Sequence, residues 1–513
     1  MCGRIFVAIG KGEAAQPCFS SAIDVRGAGV LCALPALIAN GLFAHSQTCL
    51  QQPGGYYSQD SLLLLYSFLA LARVPSLERM RYLSPGEWGL FLGLDRIPEV
   101  KTARRKIDEM APDAAAVQWA KEMSCFWMQL DEELAGVLYV DGHVRTYSGH
   151  QTQLPARFSS RSRLCIRSLM DYWVNDQQGK PFFVVTAVGT EGMLHYIRST
   201  IIPRLLTEVP GQPSEAELNA KPVYNEKDVE AEKDELEERA KDKVQAIEIR
   251  RSCDSKSHQT SIITTVRTSK KELLASHMFS RWSQENYFKY AGKELGIDLL
   301  AGYEPSEAPP DQCLKNPQYV QADAAVRRNL ATIKKVQAQG TRMVLDCNES
   351  EAVERYLAEQ TKLNEELAEL QQQRKELLEA RKNTPKHIKL SDIPEAQRPK
   401  LISHTRRQFL NTIRMIAYRA ETALVTIIRE HLRRNDDARA LAKALFVHDA
   451  DLIFDPNAQT LTVRLHHFTN PQSSKAVCAV LQQLNQAEID FPATKIRLRY
   501  EMVSSPNPVS QDL

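Results

Sequence analysis

The sequence predicts an α/β core on a mixed sheet, set between a helical region before it and a second helical region after it. Three observations predict this. Residues 136–206 carry apolar extended runs broken by a polar turn and followed by one amphipathic helix. Residues 25–125 lack strand alternation and are punctuated by Gly54-Gly55 and Val74-Pro75, as a series of helices would be. Residues 350–382 and 405–434 repeat apolar side chains at helical spacing over many turns. The 513 residues, 43% hydrophobic and 25% charged, have the composition of a soluble globular chain of about two to four domains. The expected divisions are 1–125, 130–300, 301–440 and 441–513.

In the first region Leu62–Leu71 reads as a buried helix, since Asp60 and Arg73 bound an apolar run too short to span a bilayer. The stretch Leu90–Ile107 reads as a helix-turn-helix whose second helix offers Arg104, Arg105 and Lys106 to phosphates or a groove. The same three residues also fit an ordinary solvated basic face.

In the core, Val137–Tyr147, Leu164–Val174 and Pro181–Ala187 read as strands, with Asn175–Gly179 as a turn. A helix over Glu191–Leu206 follows, with Leu194, Ile197, Ile201 and Leu205 on one stripe. Three neighbouring strands and a crossover helix open a ribonuclease-H-like fold. The charged segment 211–245 interrupts it, for Lys221–Lys243 holds nine acidic and six basic residues and almost no apolar ones. Ala246–Arg250 and Gln259–Thr265 then read as a strand pair, and Ser269–Leu295 as a helix.

The C-terminal region begins with a long coiled-coil-like helix over 350–382, where Val353, Tyr356, Leu363, Leu367, Leu370 and Leu377 recur at three- and four-residue steps. A hairpin within the chain and a coiled coil between chains fit this pattern equally. Thr405–Arg434 is amphipathic, with Arg406, Arg407, Arg414, Arg429, Arg433 and Arg434 supplying the polar side. The tail Asp451–Val503 reads strand, turn, strand, helix, strand.

Two carboxylates stand out. Asp141 leaves the apolar run Val137–Val140 and precedes Gly142-His143-Val144-Arg145, while Glu285 lies on a helix with Arg281 and Lys289 four residues to either side. Phosphodiester transfer uses two Mg²⁺ ions about 3.5–4 Å apart, held by Asp and Glu from different elements. Asp141 and Glu285 are candidates for two such ligands, and His143, Arg145, Arg281 and Lys289 for groups that hold phosphates. Taken singly, Asp141 also reads as a strand-end turn former and Arg281–Glu285 as a helix pair.

The net charge of +2 excludes a polycation, so a nucleic-acid surface must be a local patch. Ten scattered cysteines without a CxxC pair fit free thiols in a reducing cytoplasm, and no leader or membrane span is expected.

The chain resembles the DDE-type transposases of insertion sequences. The likeness runs through Pro85–Gly89, Tyr139–Arg145, Asp171–Asp176, His258–Ser261, Arg281–Lys289 and Ile416–Glu421. It implies a ribonuclease-H-like catalytic domain, Asp141 as the first D, Glu285 as the final E, two Mg²⁺ ions, and transposon-end and target DNA as partners. It also implies a nucleoid-associated cytoplasmic protein, with a homodimer as one assembly. Of the family's Tyr-Arg-Glu-Lys signature, Arg281 and Glu285 match; Met278 replaces the Tyr and Lys293 falls one place late. The second D should end a strand after the crossover helix. Between Pro210 and Ala246 only Asp228, Asp234 and Asp242 occur, and none follows an apolar run. Asp171, within a strand, and Asp176, in a turn, are poorly placed substitutes. The expectation is therefore a transposase with weak or absent strand transfer, or a relic that binds DNA without chemistry.

Overall fold

The computed structural model describes residues 14–131, 138–147, 156–159, 163–187, 192–208, 245–251, 258–264, 271–299, 305–306, 313–341, 350–392, 401–402 and 405–503. The charged segment expected at 211–245 lies outside these residues except for its last position.

A strand, β1 (Ala22–Val25), precedes a run of helices that includes α1 (Gln59–Leu71), α2 (Pro85–Leu90), α3 (Val100–Met110) and α4 (Asp113–Leu130). Helix α1 is the expected buried segment. The Ser58 hydroxyl accepts from the Ser61 amide at 3.2 Å, capping its first turn, and Leu62–Leu65 and Phe68 are fully enclosed. Residues 91–99 separate α2 from α3, more than the three or four residues of a helix-turn-helix turn.

Strands β2 (Tyr139–Thr146), β3 (Ala156–Ser159), β4 (Leu164–Asn175) and β5 (Pro181–Ala187) form one antiparallel sheet, with β4 between β2 and β5 and β3 paired to its first half. The register sets Asp141 opposite Trp173 and Val184, and His143 opposite Asp171 and Thr186. Side chains alternate across a strand, so Tyr139, Asp141, His143 and Arg145 share one face with Asp171 and Trp173. The other face is covered by α5 (193–208), an α-helix with a π turn at Ile197–Ile201. There Tyr196 packs on Tyr172 at 5.3 Å and the Arg204 guanidinium lies 4.0 Å over the Phe183 ring.

Strands β6 (Gln245–Arg251) and β7 (His258–Thr264) pair antiparallel, as expected, and lead to α6 (Lys271–Tyr290), which continues into a π turn over Ala291–Leu295. Helices α7 (Pro317–Gly340) and α8 (Ser350–Asn383) lie antiparallel. The Asn329 amide donates to the Leu370 carbonyl and Arg381 pairs with Asp323 at 3.0 Å. The helix read at 350–382 thus packs on α7 within the chain, and its Leu363, Leu367, Leu370 and Leu377 are half-buried.

Helix α9 (Thr405–Glu430) is the axis of the molecule. It packs against α1, α4 and β5, with Phe409 against Tyr66 and Trp119 at 5.6 and 5.4 Å. Here the structure corrects the sequence reading. Arg406, Arg407 and Arg414 are buried rather than solvating a polar side, and so are Arg419 and Glu421. Each meets a partner from a distant element: Arg406 grips Asp108 through two bonds of 2.8 and 2.6 Å, and Arg419 donates to the Pro181 carbonyl at 3.0 Å while lying over Trp127. Arg429, Arg433 and Arg434 remain exposed, as expected.

The tail folds as α10 (Ala438–Phe446), β8 (Ala450–Asp455), β9 (Thr460–Leu465), α11 (Pro471–Gln486) and β10 (Arg497–Met502). Its sheet, ordered β1-β8-β9-β10, includes the N-terminal strand, which ties the two ends of the chain together. Among the described residues no helix is long and apolar enough to cross a membrane.

Candidate active-site face of the sheet

Helix α6 lies on the sheet face that carries Asp141. Its stripe of Gln284, Tyr287, Phe288 and Ala291, at helical spacing, makes the contact. The Gln284 Nε2 is directed at the carbonyl oxygens of Tyr139 and Trp173 and at Asn175 Oδ1, at 3.1, 3.2 and 3.0 Å. Tyr287 packs at a tilt against Trp173 and edge-on against Tyr418. One turn further, the Phe288 ring stacks on the His143 imidazole at 5.3 Å. At the helix's other flank, Ser283 Oγ donates to the Gln177 carbonyl at 2.9 Å. That seat requires Gly179: its φ is +83°, and a Cβ there would stand 2.6 Å from the Ser283 carbonyl oxygen.

These contacts bracket the two sequence candidates. Gln284 meets the strand at Tyr139 and Phe288 meets it at His143, so Asp141 and Glu285 lie at the intervening level of strand and helix. Asp141 is half-buried, and its Oδ1 accepts from the Gly142 amide at 2.7 Å. Glu285 is half-exposed and pairs with Arg281 at 2.8 Å, the i,i+4 arrangement expected on a helix. Lys289 is exposed on the same side of α6.

The other candidates point elsewhere. The His143 Nε2 contacts the Asp298 carboxylate. Arg145 is fully buried and pairs with Asp171, which also meets Arg407 at 3.1 Å and accepts from the Thr186 hydroxyl at 2.8 Å. Burial alone would raise the Asp171 carboxyl, but Arg145, Arg407 and Thr186 outweigh it and hold the group below its ordinary value. Burial and neighbouring Arg145 bring Arg407 down to about 9, so it stays charged at neutral pH. Asp176 is likewise enclosed; burial raises it, while its Oδ1 accepts from the Gln178 and Lys180 amides at 2.8 Å each. Asp171 and Asp176 are thus committed to the scaffold. In the helical region Lys106 is buried against the Gly54 carbonyl and Glu109, because it lies beside the Ala103–Ile107–Met110 face of α3; Arg104 pairs with Glu78. Only Arg105 of the three is well exposed, with Glu109 at 3.4 Å.

Sequence reasoning missed Gln284, Phe288 and Asp298. The one signal for Gln284 was a polar side chain on the helix's inward stripe, one turn before Phe288.

A magnesium pair needs carboxylates from several elements around one point. Among the described residues the one group of three such ligands within 4.8 Å of one another is Asp24, Asp451 and His466, in the sheet formed by β1, β8 and β9. There His466 Nε2 lies 3.1 Å from Asp451, whose Oδ1 also accepts from the Asp24 amide at 3.0 Å, a contact that pins β1 to the sheet. Asp141 and Glu285 belong to no such group. Among the described residues these two carboxylates, one of them paired with Arg281, have no third ligand of the kind that two Mg²⁺ ions require.

A family model described as Transposase protein matches residues 2–234 and 223–504 of the chain. The two matched segments meet inside the charge-mixed stretch. No curated protein and no solved structure matches.

Proposed function

The chain belongs to the transposase family whose model spans it, and on that premise we propose that it is a DDE-type transposase with a ribonuclease-H-like core, whose DNA binding persists and whose strand transfer is impaired. One observation carries this reading: helix α6, which bears Glu285, packs on the sheet face that bears Asp141, and among the described residues neither carboxylate belongs to a group of three metal ligands. The family match supports the transposase role itself. Phosphodiester hydrolysis demands charge stabilisation on both attacking and leaving oxygens. A site with two carboxylates provides less of it, so recognition outlasts reaction.

In this reading Arg281 and Lys289, exposed on α6, contact the phosphates beside Glu285, and Arg105 contacts them from α3. His143 and Arg145 act on the protein itself: His143 fixes α6 through Phe288, and Arg145 holds the sheet through Asp171.

The test uses the purified chain and a duplex carrying the sequence that flanks its coding region, with Mg²⁺ present. Salt-sensitive binding is expected, unchanged by Asp141→Ala, with little or no nicking. Strong Mg²⁺-dependent nicking that Asp141→Ala abolishes would overturn the impairment. Absence of binding to any duplex would overturn the DNA-directed function.

A further inference from the structure

The N-terminal strand meets the C-terminal sheet at three metal-ligating side chains: Asp24 on β1, Asp451 on β8 and His466 just beyond β9. We propose that they form a binding site for a divalent transition ion, with zinc the best fit to the donor set, and that the ion staples the two ends of the chain together. The site lies on a different sheet from Asp141 and does not depend on the DNA-directed reading.

The donor chemistry comes first. Two carboxylate oxygens and one imidazole nitrogen suit zinc, cobalt or nickel. The imidazole sets the group apart from a patch of acidic side chains and from the oxygen-only sites that suit magnesium and manganese. Spacing agrees with chemistry. Bonds of about 2.0–2.2 Å in a tetrahedral site put neighbouring ligand atoms roughly 3.3–3.6 Å apart. His466 Nε2 lies 3.1 Å from Asp451 Oδ1 and 3.7 Å from Asp24 Oδ1, so shifts of a few tenths of an ångström would seat an ion among them. All three ligand atoms fall within 4.8 Å of one another.

Charge and support point the same way. The two carboxylates face each other across one imidazole, while Arg464, opposite Asp451 in the register, is engaged by Glu501 at 2.6 Å. A dication would neutralise the pair. The main chain of His466 is held from behind: its amide donates to the Asp449 carbonyl at 3.3 Å, and its carbonyl accepts from the His448 ring at 2.8 Å. Asp24, 80% exposed, leaves the outer side open for water as a fourth ligand. Strand β1 has four residues, and its pairing with β8 is irregular between Ala22 and Val25. An ion bound there would tie positions 427 apart in sequence and stabilise the folded chain by mass action.

Cobalt serves as the probe. The full-length chain, stripped of metal with a chelator, is titrated with Co²⁺ and followed by its visible d–d absorption, then challenged with Zn²⁺. One Co²⁺ per chain is expected, displaced by Zn²⁺, and Zn²⁺ should raise the Tm by a few degrees. Asp24→Asn should weaken Co²⁺ binding at least tenfold and remove the Zn²⁺ shift. That variant is expected to fold, since Asp24 is exposed and its φ of +53° is one that Asn adopts readily. His466→Gln should act in the same way, and Asp141→Ala should leave both readouts unmoved. A parent chain with no cobalt band and no Zn²⁺ shift overturns the site, as does a band of unaltered affinity in Asp24→Asn.

Discussion

Asp171→Ala should destabilise the protein by about 3–5 kcal/mol, the cost of stranding a buried charge whose partner has been removed. The carboxylate is buried, and it faces Arg145 and Arg407, both also buried. Without it two guanidinium groups would stand together in the core with no counter-charge, beside Arg414, whose own proton is less tightly held because burial and Arg145 oppose its charge. Asp171 is itself one of the groups that hold the Arg407 proton, so its removal weakens that hold further. The midpoint of urea unfolding reads the effect. Acid gives an independent readout. The folded-state value of Asp171 lies below the unfolded one, so its contribution is complete above the unfolded pKa of about 3.9 and is lost as pH falls through the lower folded value. In the variant that part of the acid dependence should vanish. An Asp171→Ala chain as stable as its parent would contradict the assignment of this residue to the scaffold.

Glu421→Ala should cost about 3 kcal/mol, towards the lower end for a broken buried pair because its partners can reach water. Glu421 is fully enclosed on α9, where it meets Arg73 at 2.8 Å, Arg439 at 3.3 Å and the Tyr290 hydroxyl. Arg73 and Arg439 retain partial exposure, and Arg73 also reaches Glu294 at 3.6 Å. The cluster joins the end of α1, the end of α6 and the start of α10 to α9, so its loss loosens the helix that carries Glu285. Glu421→Gln keeps an acceptor for Tyr290 and should fall between parent and alanine variant. Amide hydrogen exchange across α6 and α10 would report the loosening, and unchanged exchange together with unchanged stability would refute it.

The sequence made the sheet legible where an apolar run ended in a recognisable turn. Pro181–Ala187 matches β5 at both ends, and Leu164–Val174 extends by one residue into β4. The long helices were equally plain from their spacing. Strand β1 was not, because four residues are too few to establish a period and its partner β8 lies at the other end of the chain. The arginines of α9 misled for a related reason. Periodicity marks a polar side, but it cannot reveal that Asp108 and Asp171 arrive from elsewhere to meet Arg406 and Arg407 inside the molecule. At the candidate site, Asp141 and Glu285 could be picked out because each has a distinctive local setting. What joins them could not, since Gln284 acts through main-chain carbonyl groups of two strands and Asp298 through a histidine from another element.

Manganese binding followed by electron paramagnetic resonance probes the two-carboxylate site most directly, with Mn²⁺ standing in for Mg²⁺ on the purified full-length chain. The expected spectrum is that of a single, weakly held ion, lost in Asp141→Ala and in Glu285→Gln alike. Two tightly held, spin-coupled ions at the separation of about 3.5–4 Å used in phosphodiester chemistry would contradict it, as would binding indifferent to both substitutions.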